Sequence, residues 1–208
     1  MSVQMFKILC AALVAGFLSS VAPPAAAQSH SQGWSIGAFV GYGSGSSRWS
    51  SATTSTGDFD VSGLIAGLHG GHSWQTGKIV YGVEVEGLVS DVEGASQSNC
   101  AGCRTDLTGY LLLRSRLGYD TGHGTLYGAL GLGAAQIKHI SPTNGHASAK
   151  TYSWQAAVGY DVPIQTGWSV RGEVAYLGFG DASSAVTGSR RVSTRNIWTA
   201  KLGLTRHF

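Results

Sequence analysis

Residues Tyr152–Val162 read YSWQAAVGYDV. Tyr152, Trp154, Ala156, Val158, Tyr160 and Val162 alternate with Ser153, Gln155, Ala157, Gly159 and Asp161. A period of two marks a β-strand, because successive side chains point to opposite faces of the sheet. One face of this strand is apolar throughout; the other is small or polar. The stretch exceeds the roughly 5–6 residues of a usual soluble strand. It suits a strand of about 9–11 residues that crosses a membrane and extends above it.

The same alternation recurs along the chain. Gly33–Ser44 sets Trp34, Ile36, Ala38, Val40 and Tyr42 against Ser35, Gly37, Phe39, Gly41 and Gly43. Ile79–Val89, Leu107–Tyr119, Trp168–Tyr176 and Arg191–Phe208 repeat it, with Leu107 read on the apolar phase of its strand. Val61–Trp74 and Thr125–Lys138 are Gly-rich versions. Eight strands are therefore expected. Gln75–Lys78, Asp120–Gly124 and Ile164–Gly167 read as short turns, whereas Gly45–Gly57, Ser90–Arg104, Ile140–Lys150 and Gly180–Arg190 read as long polar loops. Short turns at one end and long loops at the other are the pattern of an eight-stranded antiparallel transmembrane up-and-down β-barrel.

Composition agrees. Charged residues make up 12% of the 208-residue chain, and 31 residues are Gly. Soluble domains carry about 25% charged residues. With 43% hydrophobic and 10% aromatic residues the chain is not a disordered one. A net charge of +3 with scattered basic residues argues against nucleic-acid binding. After residue 27 there is no apolar run of about 18 residues, so spanning helices are excluded. Residues 1–27 read as a cleaved signal peptide: Lys7, the apolar Ile8–Leu18, and the small residues Ala25–Ala27 before the cleavage point. Residues 28–208 are then the barrel, integral to a bacterial outer membrane and in contact with its lipid and lipopolysaccharide.

Lipid can admit only the apolar phase. Its aromatics fall near strand ends, as the two girdles of a membrane barrel do. Trp34, Trp74, Tyr81, Tyr119, Tyr160, Trp168 and Phe208 lie on the turn side, and Tyr42, Tyr152, Trp154, Tyr176 and Trp198 toward the loops. A soluble barrel with its apolar phase inward is the competing reading. The inward phase carries Glu84, Glu86, Arg114, Arg116, Asp161, Arg171, Glu173 and Lys201. Four acids against four bases predict an ion-pair network closing the lumen, with Glu84 level with Arg114 and Glu173 near Lys201. A buried charge is costly unless paired and hydrogen-bonded. The alternative is a charged constriction that passes small solutes.

Cys100 and Cys103 occupy one loop, and in an oxidising compartment a disulfide is expected rather than a metal or redox site. His30, His69, His72, His123, His139, His146 and His207 show no metal-ligand spacing, and no cofactor is implied. A lipid-acting enzyme needs a nucleophile, a His and an acid together on the lipid-facing side. His139–Ser141 and His146–Ser148 lack a nearby outward carboxylate, so no enzyme activity is expected; haem capture by loop histidines is a further alternative.

Four segments resemble a known family. Ala66–Gln75 (AGLHGGHSWQ) with Val80–Glu84 (VYGVE), Arg114–Tyr119 (RSRLGY) with Leu126–Gly128, Trp168–Gly180 (WSVRGEVAYLGFG), and the closing Val192–Phe208 are similar to segments of the small outer-membrane porin and surface-antigen proteins of alphaproteobacteria. These are eight-stranded barrels of the OmpA and OmpX type. The resemblance implies insertion by the barrel-assembly machinery through the strand ending in Phe208. It also implies roles in envelope integrity and in contact with a host or surface ligand through the loops. One departure is Arg206, where the family usually has an aromatic residue; an arginine there can snorkel to water.

Overall fold

The computed structural model describes residues 32–50, 55–96, 103–141, 145–180 and 191–208. They form eight strands: β1 (Gly33–Ser50), β2 (Ser55–Thr76), β3 (Ile79–Ser96), β4 (Cys103–Asp120), β5 (Thr125–Ser141), β6 (Gly145–Gln165), β7 (Trp168–Phe179) and β8 (Arg191–His207). Each pairs antiparallel with its sequence neighbour, and β1 pairs with β8, so the sheet closes into a barrel. Closure leaves no edge strand with unpaired backbone groups. Beyond β8, the Phe208 N–H donates to the Trp34 carbonyl at 2.9 Å, tying the last residue to β1.

The three turns are short, as expected. Gly77 (φ 60°) opens the two-residue turn between Thr76 and Ile79. Such a hairpin needs a positive φ, which glycine adopts without a side-chain clash. In the third-to-fourth hairpin's successor, between β4 and β5, Gly122 (φ 85°) donates its N–H to Asp120 Oδ1 at 2.8 Å.

The loop side differs from the expectation. Strands continue through most of the polar stretches read as loops: β1 runs to Ser50 and β2 begins at Ser55, while β5 ends at Ser141 and β6 begins at Gly145. These extensions are rich in Ser, Thr and Gly, so they carry no apolar phase to reveal them. The ladder shifts register between Val89 and Val92 and between Leu107 and Gly109. Thr108 is left without a partner on β5. Such a bulge turns the following side chains to the opposite face. Leu107 consequently lies inside the barrel, not on its outer phase.

The outer surface is the apolar phase. Leu64, Leu130 and Leu132 are 69%, 66% and 72% exposed, whereas Glu84, Glu86 and Arg114 are almost fully buried. This decides against the soluble barrel with its apolar phase inward. Ser115 faces outward and donates to the Leu130 carbonyl at 3.3 Å, which satisfies its hydroxyl locally. Trp34 and Tyr42, Tyr152 and Tyr160, and Trp168 and Tyr176 are three pairs each separated by eight positions on one strand. Eight residues span about 27 Å of strand. At a tilt of about 40° that is about 20 Å along the barrel axis, close to the roughly 25 Å apolar band of membrane barrels.

The rings of these belts touch. Trp74 stacks on Tyr81 at 5.8 Å, and Tyr176 lies 5.5 Å from Trp154 and 5.0 Å from Trp198. Gly178, facing Trp154 in the ladder, leaves a slot in which the indole lies; a Cβ there would collide with it. Tyr42, Tyr119 and Phe208 are also outward and exposed. Residues 1–27, the expected signal peptide, and Cys100 lie outside the described residues. Cys103 is placed only as the first backbone position of β4, opposite Ser96.

Candidate functional site: the charged lumen

Inward-pointing side chains at the middle of the barrel come from β3, β4, β6, β7 and β8. Strand alternation aims them there, and the pairing register sets their heights. Glu84 faces Arg114 in the β3–β4 ladder, and Glu173 faces Lys201 in the β7–β8 ladder.

Nearer the turns, Arg171 joins Glu84 at 2.7 Å and Asp161 at 2.9 Å. Arg116 joins the same two acids, Asp161 at 2.7 Å and Glu84 at 3.4 Å. These four residues therefore make a closed ring of alternating charge. One step toward the loops, Arg114 joins Glu86 and lies 2.5 Å from Glu173. Lys201 completes this second ring, 2.8 Å from Glu86 and 2.5 Å from Glu173. A contact of 3.4 Å between Arg114 and Glu84 links the two rings. Each ring holds two acids and two bases and so is neutral as a unit. That matters because a single uncompensated charge in such surroundings costs several kcal/mol.

Neutral side chains add hydrogen bonds to the rings. Tyr110 donates to Glu86 at 2.6 Å, and Gln155 donates to the Tyr110 hydroxyl at 3.2 Å. Tyr127 donates to Glu173 at 2.7 Å, and its ring lies 3.8 Å from the Arg116 guanidinium. Lys201 Nζ sits 5.0 Å from the Phe39 ring, which stacks on His69; His69 in turn meets Thr205 at 3.0 Å. Tyr110, Gln155 and Tyr127 were not singled out by sequence. Their only signal is that they share a phase with Arg114, Asp161 and Ala129.

Small residues make room for these long side chains. Gly131 faces Arg114, and a Cβ there would come within 2.9 Å of Arg114 Cγ. Ala129, Ala157 and Ala175, on β5, β6 and β7, pack with Tyr127.

Above the rings the lumen turns apolar. Leu112, Leu177 and Ile197 are each 1% exposed and pack with Phe39, Ile65, Leu88, Val92 and Leu107. The alternation alone did not anticipate this layer, since the bulges bring Val92 and Leu107 into it. Below the rings, a cavity of about 170 Å³ lies at the turn end; Arg116, Asp161, Tyr127, Thr125, Ser169 and His207 are among its walls.

Residues 10–208 match the family described as the outer membrane protein beta-barrel domain. The chain belongs to that family. It is an outer-membrane protein, and it is similar to the 22 kDa outer membrane protein of Rhizobium leguminosarum bv. viciae. The two are 29% identical over 133 residues, 61% of this chain and 60% of the relative's length. Two solved structures share the fold. Neisserial surface protein A is 11% identical with a TM-score of 0.52, over 85% of this chain and 98% of the other. OprG from Pseudomonas aeruginosa is 15% identical with a TM-score of 0.52, over 86% and 97%. At such identities the likeness concerns the fold alone.

Within this outer-membrane barrel the predicted residues separate into two groups. The eight charged residues come together in the lumen, and the girdle aromatics lie on the outer face. Phe208 directly follows β8, the strand that closes the barrel against β1, and its N–H is bonded to the Trp34 carbonyl.

Proposed function

We propose that this outer-membrane barrel is sealed, and that it serves envelope integrity and surface contact rather than transport. The observation that carries the reading is the stacking of three filled layers in one lumen. Two neutral ion-pair rings lie beneath an apolar layer built on Leu112, Leu177 and Ile197. An ion crossing this stack would have to break buried pairs and then enter a layer lined mainly by apolar side chains, which replace little of its water. An eight-stranded barrel has an interior just wide enough for side chains to fill.

Its outer partners are the lipid and lipopolysaccharide around the apolar band. The barrel-assembly machinery acts on the Phe208 strand during insertion, and a host or surface ligand is met through the loops. The reading assigns no catalytic role to the lumen: among the described residues its four acids are each engaged by an arginine or lysine, which leaves them poorly placed as general acids or bases. A liposome-swelling assay tests the reading. Vesicles holding the barrel should swell in arabinose no faster than empty vesicles; swelling that rises with the protein-to-lipid ratio would overturn it.

A second reading, a narrow porin, draws support from the turn-end cavity, which reaches Arg116 and Asp161 of the lower ring. It predicts swelling that increases when the rings are cut.

A further inference from the structure

The geometry points to a phospholipid-headgroup site at Arg206, on the outer wall of the barrel at the turn end. On the outward phase of the turn half, Arg206 is the only arginine, lysine or carboxylate among the described strand residues. It lies eight positions from Trp198 on β8, the same spacing that separates the girdle pairs on β1, β6 and β7. Arg206 therefore occupies the girdle level of its strand, where lipid headgroups meet the apolar band.

Its surroundings hold it there. One guanidinium nitrogen donates to the Thr166 carbonyl at 2.9 Å. The Trp168 and Phe208 rings lie 5.5 and 5.7 Å from the guanidinium carbon. Gly167 contributes by absence: a Cβ at that position would collide with the guanidinium. No ion pair within 4.0 Å joins Arg206 to a carboxylate among the described residues. A guanidinium has five N–H donors, and one is used. An arginine without a protein counter-ion, fixed at headgroup height, is matched by a phosphate, which it can grip with two parallel bonds. The short turns face the periplasm. The ligand assigned is thus the phosphate of an anionic glycerophospholipid in the periplasmic leaflet. The assignment is independent of whether the lumen conducts.

Native mass spectrometry of the full-length protein, extracted folded in detergent and incubated with phosphatidylglycerol or phosphatidylcholine, tests it. The wild type should retain phosphatidylglycerol about fivefold better than phosphatidylcholine, the scale of one basic residue beside an anionic surface. Arg206→Gln should bring that ratio to about one, Arg206→Lys should leave it intermediate, and Lys78→Gln should leave it unchanged. Millimolar inorganic phosphate should not displace the lipid; displacement would mean a site for free anions and overturn the lipid assignment. Equal retention by wild type and Arg206→Gln would overturn the site. If Arg206→Gln does not fold, the comparison of wild type with Arg206→Lys decides: equal ratios for phosphatidylglycerol overturn the proposal. A variant that keeps its lipid yet inserts slowly only in the presence of the assembly machinery would make Arg206 an assembly contact instead, and would also overturn it.

Discussion

Arg114 of β4 and Glu173 of β7 meet at 2.5 Å, although two strands stand between theirs in the wall. The contact crosses the barrel, so it depends on closure and register and not on any local hairpin. Around it, Glu86 and Lys201 complete a ring that spans β3, β4, β7 and β8.

Breaking that ring on one side should be expensive. Arg114→Met leaves Glu86 and Glu173 with Lys201 as their remaining cation in the ring, and should destabilise the folded barrel by about 3–5 kcal/mol. Adding Glu173→Gln restores one acid against one base, and the double variant should be more stable than the sum of the single changes requires. Urea unfolding in vesicles, followed by tryptophan emission, measures the cycle. Strict additivity would show that the charges act separately.

Two neighbouring glycines should respond in opposite ways. A Cβ on Gly159 would run into the Tyr127 hydroxyl inside the lumen, while one on Gly172 meets nothing within 4 Å. Gly159→Ala should cost about 1–3 kcal/mol through overpacking. Gly172→Ala should lie within about 0.5 kcal/mol of wild type or be slightly stabilising. The temperature at which the folded band is lost on an unboiled gel orders the three proteins.

The aromatic belts fix the depth of the barrel in the bilayer. Variants retaining only Trp154 or only Trp168 should be quenched strongly by lipids brominated near the headgroup, and weakly by lipids brominated at the chain ends. The reverse order would place both rings at mid-bilayer and displace the band.

Mass spectrometry of exported protein tests the signal cleavage and the loop disulfide. The mature chain should begin at Gln28, and Cys100 and Cys103 should resist alkylation until reduced. Cys100→Ser should expose a single reactive thiol. Alkylation of the untreated wild type would remove the disulfide.

Much of this architecture is written in the alternation of the strands, because lipid imposes one polarity on every outward position. The phases of Glu84, Arg114 and Lys201 follow from that rule, and the neighbour pairs Glu84–Arg114 and Glu173–Lys201 follow from counting up from the turns. The Glu84–Arg171 contact could not be counted this way, since it depends on the shear and circumference of the closed barrel. Leu107 was assigned to the wrong face because one unpaired residue, Thr108, inverts the alternation without leaving a compositional mark. The strand extensions to Ser50 and from Gly145 rise out of the apolar band, and beyond it lipid no longer enforces a pattern. Tyr127 shows the limit for single residues: an interfacial tyrosine and a lumen tyrosine are chemically the same, and only phase separates them.

Sealing of the lumen is the central claim, and single-channel recording across planar bilayers tests it most directly. Purified wild-type protein, verified as folded by its gel migration, should give a baseline indistinguishable from lipid alone over long recordings. Steady, voltage-independent openings on the nanosiemens scale from that same folded protein would contradict it.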